Sequence, residues 1–494
     1  MRGSAVVTVA ILCAGLPSRG AAAEEITIQA KQELELWHDT DLDESVADER
    51  VDFYLGYGLF SVQSTFLVHQ PTDFQRLDPS DFGEPFEGVR KRMVEARVGP
   101  AVAQLGDVYT TMGRGVALQL IENQVVDFDN TVDGFRLQWT DPRYRLEAVA
   151  GRNAYGVREA SLKAGSARWT GLSGLESALH VVQVDSSDDA AGRERGRDRM
   201  HGGELSYQTD WGDVFGIYMV RDFTAGGVEP PSFPQGHAGY GAMSVYWGPL
   251  AVTLEGKDYL RYENAYTIPS PVARQHTTTL LNRTSHTVYA NADDERGYQT
   301  EALLNVDRAD VEISLGRAAG ETHDETFPYF ENYGQAEWRA GERLVLLGRV
   351  GETEETVDEG TKIVFFERFT FGGNLYWSLS DSWSFEVDAE TQGRKESELA
   401  NADYTFPLEV RDNIITANLY HSPWLALAAT VEWTDDSREA TQHWIFTEAN
   451  FQVLDRHQIN VGGGSFRGGQ LCSGGICRPI APFTGLRINW LTTF

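Results

Sequence analysis

From Ile26 onward, apolar side chains recur at every second position, and no segment sustains a period of 3.6. That period is the strongest constraint on the fold. Leu486, Ile488, Trp490 and Phe494 lie on one face of the last run, with Thr492 as the polar exception; Arg487, Asn489 and Thr493 lie on the other, with Leu491 as its exception. The first run sets Ile26, Ile28, Ala30, Leu34 and Leu36 against Thr27, Gln29, Lys31, Glu33 and Glu35. Later runs repeat the scheme, as in Trp383, Phe385, Val387 and Ala389 against Ser384, Glu386, Asp388 and Glu390. An extended strand with one apolar and one polar face suits a wall between lipid and water, or the edge of a soluble sandwich.

Hydrophobic residues make up 41% of the chain, and mean hydropathy is −0.35. After the amino-terminal stretch no apolar run reaches the ~20 residues of a spanning helix, so a helical membrane protein is excluded. A barrel is not, because alternation dilutes its hydrophobicity in any window average. With 49 glycines and only 17 prolines, the composition fits many strands joined by tight turns.

Residues 1–23 read as a secretory signal: Arg2, the apolar stretch Val6 to Leu16, then Ala21-Ala22-Ala23. Leu12 before Cys13 disfavours a lipoprotein signal. Cleavage removes Arg2 and Arg19 and no acid, moving the formal charge from −31 to −33. That balance argues against nucleic acid as a partner and permits cations or basic proteins.

Tight turns recur at Trp139–Arg143, Trp211–Asp213, Trp247–Pro249, Asp307–Asp310, Trp338–Glu342, Ser380–Ser382, His421–Trp424 and Leu454–His457. Indoles beside most of them suit a membrane interface, where the ring is in lipid and the N–H is wet. The other connections are longer and acidic, among them Asp39–Arg50, Gln70–Arg92, Glu263–Gly297 and Gly468–Pro482. Short turns on one side and long loops on the other predict an antiparallel transmembrane β-barrel of about 24 strands (22–26), with periplasmic turns and extracellular loops. It forms a single domain over residues 24–494. The first run begins within a few residues of Glu24, which disfavours a receptor with a separate plug domain.

Two stretches carry a resemblance. One is Gly106-Asp-Val-Tyr109-Thr-Thr-Met-Gly113-Arg114-Gly115 with Asp127 to Leu137; the other is Cys472-Ser-Gly-Gly-Ile-Cys477 with the Phe-terminated strand. Together they resemble an uncharacterised bacterial outer-membrane β-barrel family catalogued as a domain of unknown function. The resemblance implies a porin-like barrel in the outer membrane and assigns no substrate or cofactor. The last strand, with Trp490 and Phe494, also resembles the signal read by the barrel assembly machinery.

Tyr109 to Thr131 alternates poorly and is too long for a turn, so it is expected inside the barrel. There Arg114 is either a positive point at a lumen constriction or a kink residue paired to a wall carboxylate, with flanking glycines to let the backbone bend. Candidate lumen-wall acids are Glu33, Glu35, Glu255, Glu312, Glu386, Asp388, Glu390 and Glu432, against Lys31, Arg145, Arg343, Arg349 and Arg487. Cys472 and Cys477, in an exported chain, are expected to form a disulfide; a metal site would need further ligands, and His, Asp and Glu are absent from 468–485. The acids Asp39, Asp41, Asp43 and Glu44, or Asp293, Asp294 and Glu295, are calcium ligands or, more simply, solvated loop carboxylates. His421-Ser422 precedes Pro423 in a turn that does not set either side chain to activate the other, and no hydrolase motif appears. No enzyme activity, cofactor or metal is expected. The expected partners are membrane lipids, the assembly machinery, and a small solute or an envelope protein. Solute passage or binding through an acidic lumen is the leading reading, a structural platform the alternative, and a membrane hydrolase a distant third.

Overall fold

A computed structural model describes residues 26–71, 86–124, 128–153, 160–186, 196–225, 236–262, 266–267, 276, 278–283, 294–323, 328–358, 362–396, 408–473 and 476–494. The residues read as a signal lie outside them. Twenty-four antiparallel strands form one sheet. Each pairs with its chain neighbours, and the first strand (Ile26–Asp39) also pairs with the last (Phe483–Thr493), Lys31 opposite Thr493 and Asp39 opposite Gly485. The sheet is therefore a closed barrel without edges.

Alternation sorts the side chains. Leu105, Val181, Leu179, Phe371 and Trp490 lie on the outward face and are heavily exposed, whereas the intervening Gln104, Val182, His180, Thr370 and Asn489 face inward. This outward apolar face is what a lipid-embedded wall requires.

Both termini lie on the side of the short reversals. Besides the eight expected turns, tight reversals occur at 58–59, 99–100 and 173–174, where a glycine adopts positive φ; at 58–59 and 173–174 no Asp or Pro stands beside it, and at 99–100 the glycine is followed by Pro100. On the opposite side the expected loops are shorter than the charge pattern predicts. Residues 40–43 form the whole turn between the first two strands, and strand pairing resumes at Glu44. The excess length is strand that rises above the apolar band, where both faces are polar and alternation vanishes. The acids there are not all solvated either: Asp39 and Glu44 are buried, and one Asp39 oxygen accepts the N–H groups of Asp41 and Leu42 at 2.9 and 3.1 Å. Glu295 is buried too, and Asp293 lies outside the described residues.

Candidate functional site

The connection from Tyr109 to Thr131 leaves the wall at Val108 and returns at Val132, both fully buried. It reaches side chains on widely separated strands, which is possible only across the interior: Arg50 to Glu122 at 2.7 Å, Lys91 to Glu122 at 2.9 Å and to Asp129 at 2.8 Å, and Thr110 to Glu147. Met112, Val116, Leu118 and Leu120 pack against Val149, Leu162, Val182, Met200, Ile217 and Met219 of the inner wall. Burying each such side chain contributes roughly 1.5–3 kcal/mol, so the segment is a fixed filling of the lumen. The signal in the sequence was Val214 to Val220, apolar at every position save Gly216. There Val214 and Tyr218 are exposed on the outward face while Phe215, Ile217 and Met219 are buried inward, so an apolar inner face marks where the lumen is filled.

At the tip of the segment Gly113, Arg114 and Gly115 all have positive φ, at 60°, 53° and 88°. A Cβ on Gly113 would meet Ile217 Cδ1 at 2.4 Å and push that side chain aside, and the positive φ favours glycine there in any case. For Arg114 the left-handed backbone costs about 1–2 kcal/mol, which the surrounding packing must offset. The result is an exposed side chain whose guanidinium lies 3.8 Å from the Phe215 ring centroid, with no carboxylate in ion-pair contact among the described residues. Arg114 thus projects from the tip of the segment, and its charge is also within electrostatic reach of Glu204 on the wall.

Glu263 to Gly297 also turns inward where it is described. The short helix Thr279–Arg283 places the N–H groups of Thr279 and Leu280 on the two oxygens of Glu390, at 2.9 and 2.8 Å. Arg368 donates to the Leu281 carbonyl at 3.0 Å, and His276 bonds Glu331 at 2.6 Å. Gln119 donates its N–H to the Tyr266 carbonyl at 2.8 Å, joining the two inward segments.

All eight candidate wall acids lie on the inward face, but in different circumstances. Glu33 pairs with Lys31 at 3.2 Å, Glu35 with Arg487 at 2.8 Å and Asp388 with Arg349 at 2.5 Å. Glu390 is taken by the helix, Glu432 is 3.5 Å from Arg467, and Glu255 accepts from Tyr240 at 3.0 Å. Glu386 accepts from the neutral groups of Asn374, Asn418 and Tyr420 at 2.7, 3.4 and 2.8 Å. Among the described residues Glu312, Glu386 and Glu448 have no basic partner. Of the bases, Arg145 pairs with Glu147 at 3.2 Å, and Arg343 sits in a turn and not on the wall. Lys31, Glu33, Glu448, Asn460 and Arg487 line a polar recess of about 300 Å³ beside the seam.

Sequence reasoning missed Arg394, Arg438 and Arg467, which tie Glu396, Asp412, Asp436 and Glu439 together at the extracellular end. Arg394–Glu396 and Arg438–Asp436 are two residues apart, but the ties that join the cluster run between separate strands and the 435–442 loop, so no spacing announces it. Cys472 and Cys477 stand directly opposite each other in a two-stranded hairpin; their side chains lie outside the described residues. The His421 ring is 4.4 Å from Trp383 and 4.9 Å from Trp424, an aromatic cluster. No group able to hold a metal ion occurs among the described residues.

Residues 409–494 match a family described as a family of unknown function (DUF6029). The match covers the last five barrel strands and the Cys472–Cys477 hairpin, and leaves out the Gly106–Leu137 motif. No curated protein matches the sequence. Among solved structures, the chain is similar to the siderophore receptor PirA from Pseudomonas aeruginosa, with TM-score 0.50 and 10% identity over 97% of this chain and 81% of that one. The copper transporter OprC is similar at TM-score 0.48 and 9% identity, over 96% and 81% of the two chains. For the translocation pore of the P pilus usher PapC the values are 0.47 and 9%, over 95% and 99%. The likeness to PirA is one of fold. Together with the closed sheet and the apolar outward face, it identifies an outer-membrane β-barrel.

Proposed function

We propose that this outer-membrane barrel passes or binds a small solute through an acidic lumen narrowed by the 109–131 segment. The observation that carries the reading is the set Glu312, Glu386 and Glu448, inward carboxylates with no basic partner among the described residues. Charges on a low-dielectric wall concentrate counter-ions, so a continuous path lined by them favours cations and cationic solutes. Arg114, held at the tip of the filling segment, is the opposing charge that a solute meets at the narrowest part. A solute bearing both charges would find acids along the wall and a guanidinium at the tip.

Planar-bilayer recording tests the reading. Open-channel steps with a cation-selective reversal potential support it. A well-folded barrel that stays silent, and binds no cationic solute, favours the platform reading instead, which draws its support from the tightly packed apolar filling.

A further inference from the structure

The outward face carries a second charged feature, unrelated to the lumen. On three of four consecutive strands (Tyr144–Asn153, Ala160–Leu172, Leu175–Ser186 and Gly196–Thr209) the apolar belt ends in a cation, the exception being Leu175–Ser186, which ends in Gln183 and Asp185. Leu146, Leu179, Val181 and Leu205 form the belt, all heavily exposed. Immediately above it, towards the extracellular end, Arg152, Lys163 and Arg199 point outward and are exposed. Lys163 stands opposite Gln183, and Gln183 opposite Arg199, so the two cations flank one strand about 10 Å apart. Arg152 lies opposite Ser161, two residues from Lys163, within about 8 Å on the diagonal.

Among the described residues none of the three is in an ion pair, in a chain with 73 acids and 42 bases. The one outward acid described above the belt on these strands, Asp185, is bonded to Arg197. Of the flanking acids, Asp133 is bonded by Arg92 at 3.3 Å, and Asp222 stands opposite Arg199 without bonding it. Like charges so close repel one another, and more strongly where the neighbouring medium is lipid. They ask for an anion. The belt beneath them would hold acyl chains, and the cations stand at headgroup level, within reach of a phosphate.

We propose that Arg152, Lys163 and Arg199 form a docking surface for the phosphate-bearing headgroup of a lipid in the outer leaflet. Native mass spectrometry of the folded barrel in detergent, titrated with diphosphorylated lipid A, tests it. The triple variant Arg152→Gln, Lys163→Gln, Arg199→Gln should bind at least about tenfold more weakly. Arg317→Gln with Arg411→Gln, removing two other outward cations, should stay within about twofold of the parent. Lipid A stripped of its phosphates should bind the parent as weakly as intact lipid binds the triple variant. If the triple variant misfolds, Lys163→Glu alone must still weaken binding while Lys163→Arg preserves it. Undiminished binding by the triple variant would overturn the proposal. So would equal loss in the Arg317/Arg411 control, or displacement of the lipid by millimolar inorganic phosphate, which would mean a site for any free anion.

Discussion

The guanidinium of Arg114 rests on the ring of Phe215, 3.8 Å from its centroid, and this stacking holds the only charged side chain of the Gly113–Gly115 turn in an exposed position inside the barrel. A cation held over a ring face in this way is worth ~0.5–2 kcal/mol. Removing the charge with Arg114→Gln should therefore raise cation preference in reversal-potential measurements across a salt gradient. Phe215→Ala should leave the charge but loosen its position, giving broader conductance levels at unchanged mean selectivity. Higher salt should weaken the preference as screening shortens. An anion preference in the unaltered protein would mean that Arg114, not the wall, governs passage.

The ties at Glu122 predict a pH dependence. Burial alone would push this carboxyl up; the hydrogen bond from Arg50 and the charge of Lys91 outweigh it and hold the group at about 2, against an ordinary 4.5. Because the folded value is the lower one, the anchoring is complete above about 4.5 and is lost as the pH falls towards 2. A nitroxide at Gln124→Cys should accordingly gain mobility across that window. Glu122→Gln should loosen the label already at neutral pH, by roughly 2 kcal/mol of lost anchoring. A label equally immobile in both proteins at every pH would refute the anchoring role.

Orientation can be read by labelling. With the termini and short turns in the periplasm, a cysteine at Ser437 should react with an impermeant reagent on intact cells, and one at Gly248 should not. The reverse pattern would invert the barrel.

The seam should depend on Phe494 far more than on Arg487. Ala30 and Phe494 exchange backbone hydrogen bonds at 2.8 and 3.4 Å, and the Phe494 ring faces outward. Deleting Phe494 should lower the folded, membrane-inserted fraction several-fold. The Arg487–Glu35 pair is solvent-accessible inside the lumen and worth ~0–1 kcal/mol, so Arg487→Gln should leave that fraction nearly unchanged. Equal loss in both variants would contradict the face assignment.

Cys472 and Cys477 face each other across a hairpin, the placement a short disulfide requires. Mass analysis of the non-reduced mature protein should find no free thiol. Two alkylatable cysteines in the native protein would rule the bridge out.

What the sequence determined by itself is the wall. A side chain's face depends on position parity alone, so Glu33, Glu386 and Glu432 could be placed in the lumen, and Trp490 and Phe494 in lipid, without a coordinate. Turn chemistry supplied the strand number, since Gly, Pro and Asp reversals punctuate the runs; it faltered at 58–59 and 173–174, where glycine turns the chain without a Pro or Asp beside it. Above the membrane both faces are polar, and the pattern no longer marks where a strand stops, so the loop at Asp39–Arg50 was read too long. What fills the barrel was decided by tertiary structure. That Tyr109–Thr131 turns inward was legible from its broken alternation, but its partners were not: Glu122 meets Arg50 and Lys91, and Glu390 meets Thr279 and Leu280, across distances in sequence that no local pattern encodes. The curvature of the closed sheet brings these residues together. Among the described residues it leaves Arg114 and Glu386 without ion-pair partners for the same reason, because pairing in the interior depends on which strands face one another across the lumen.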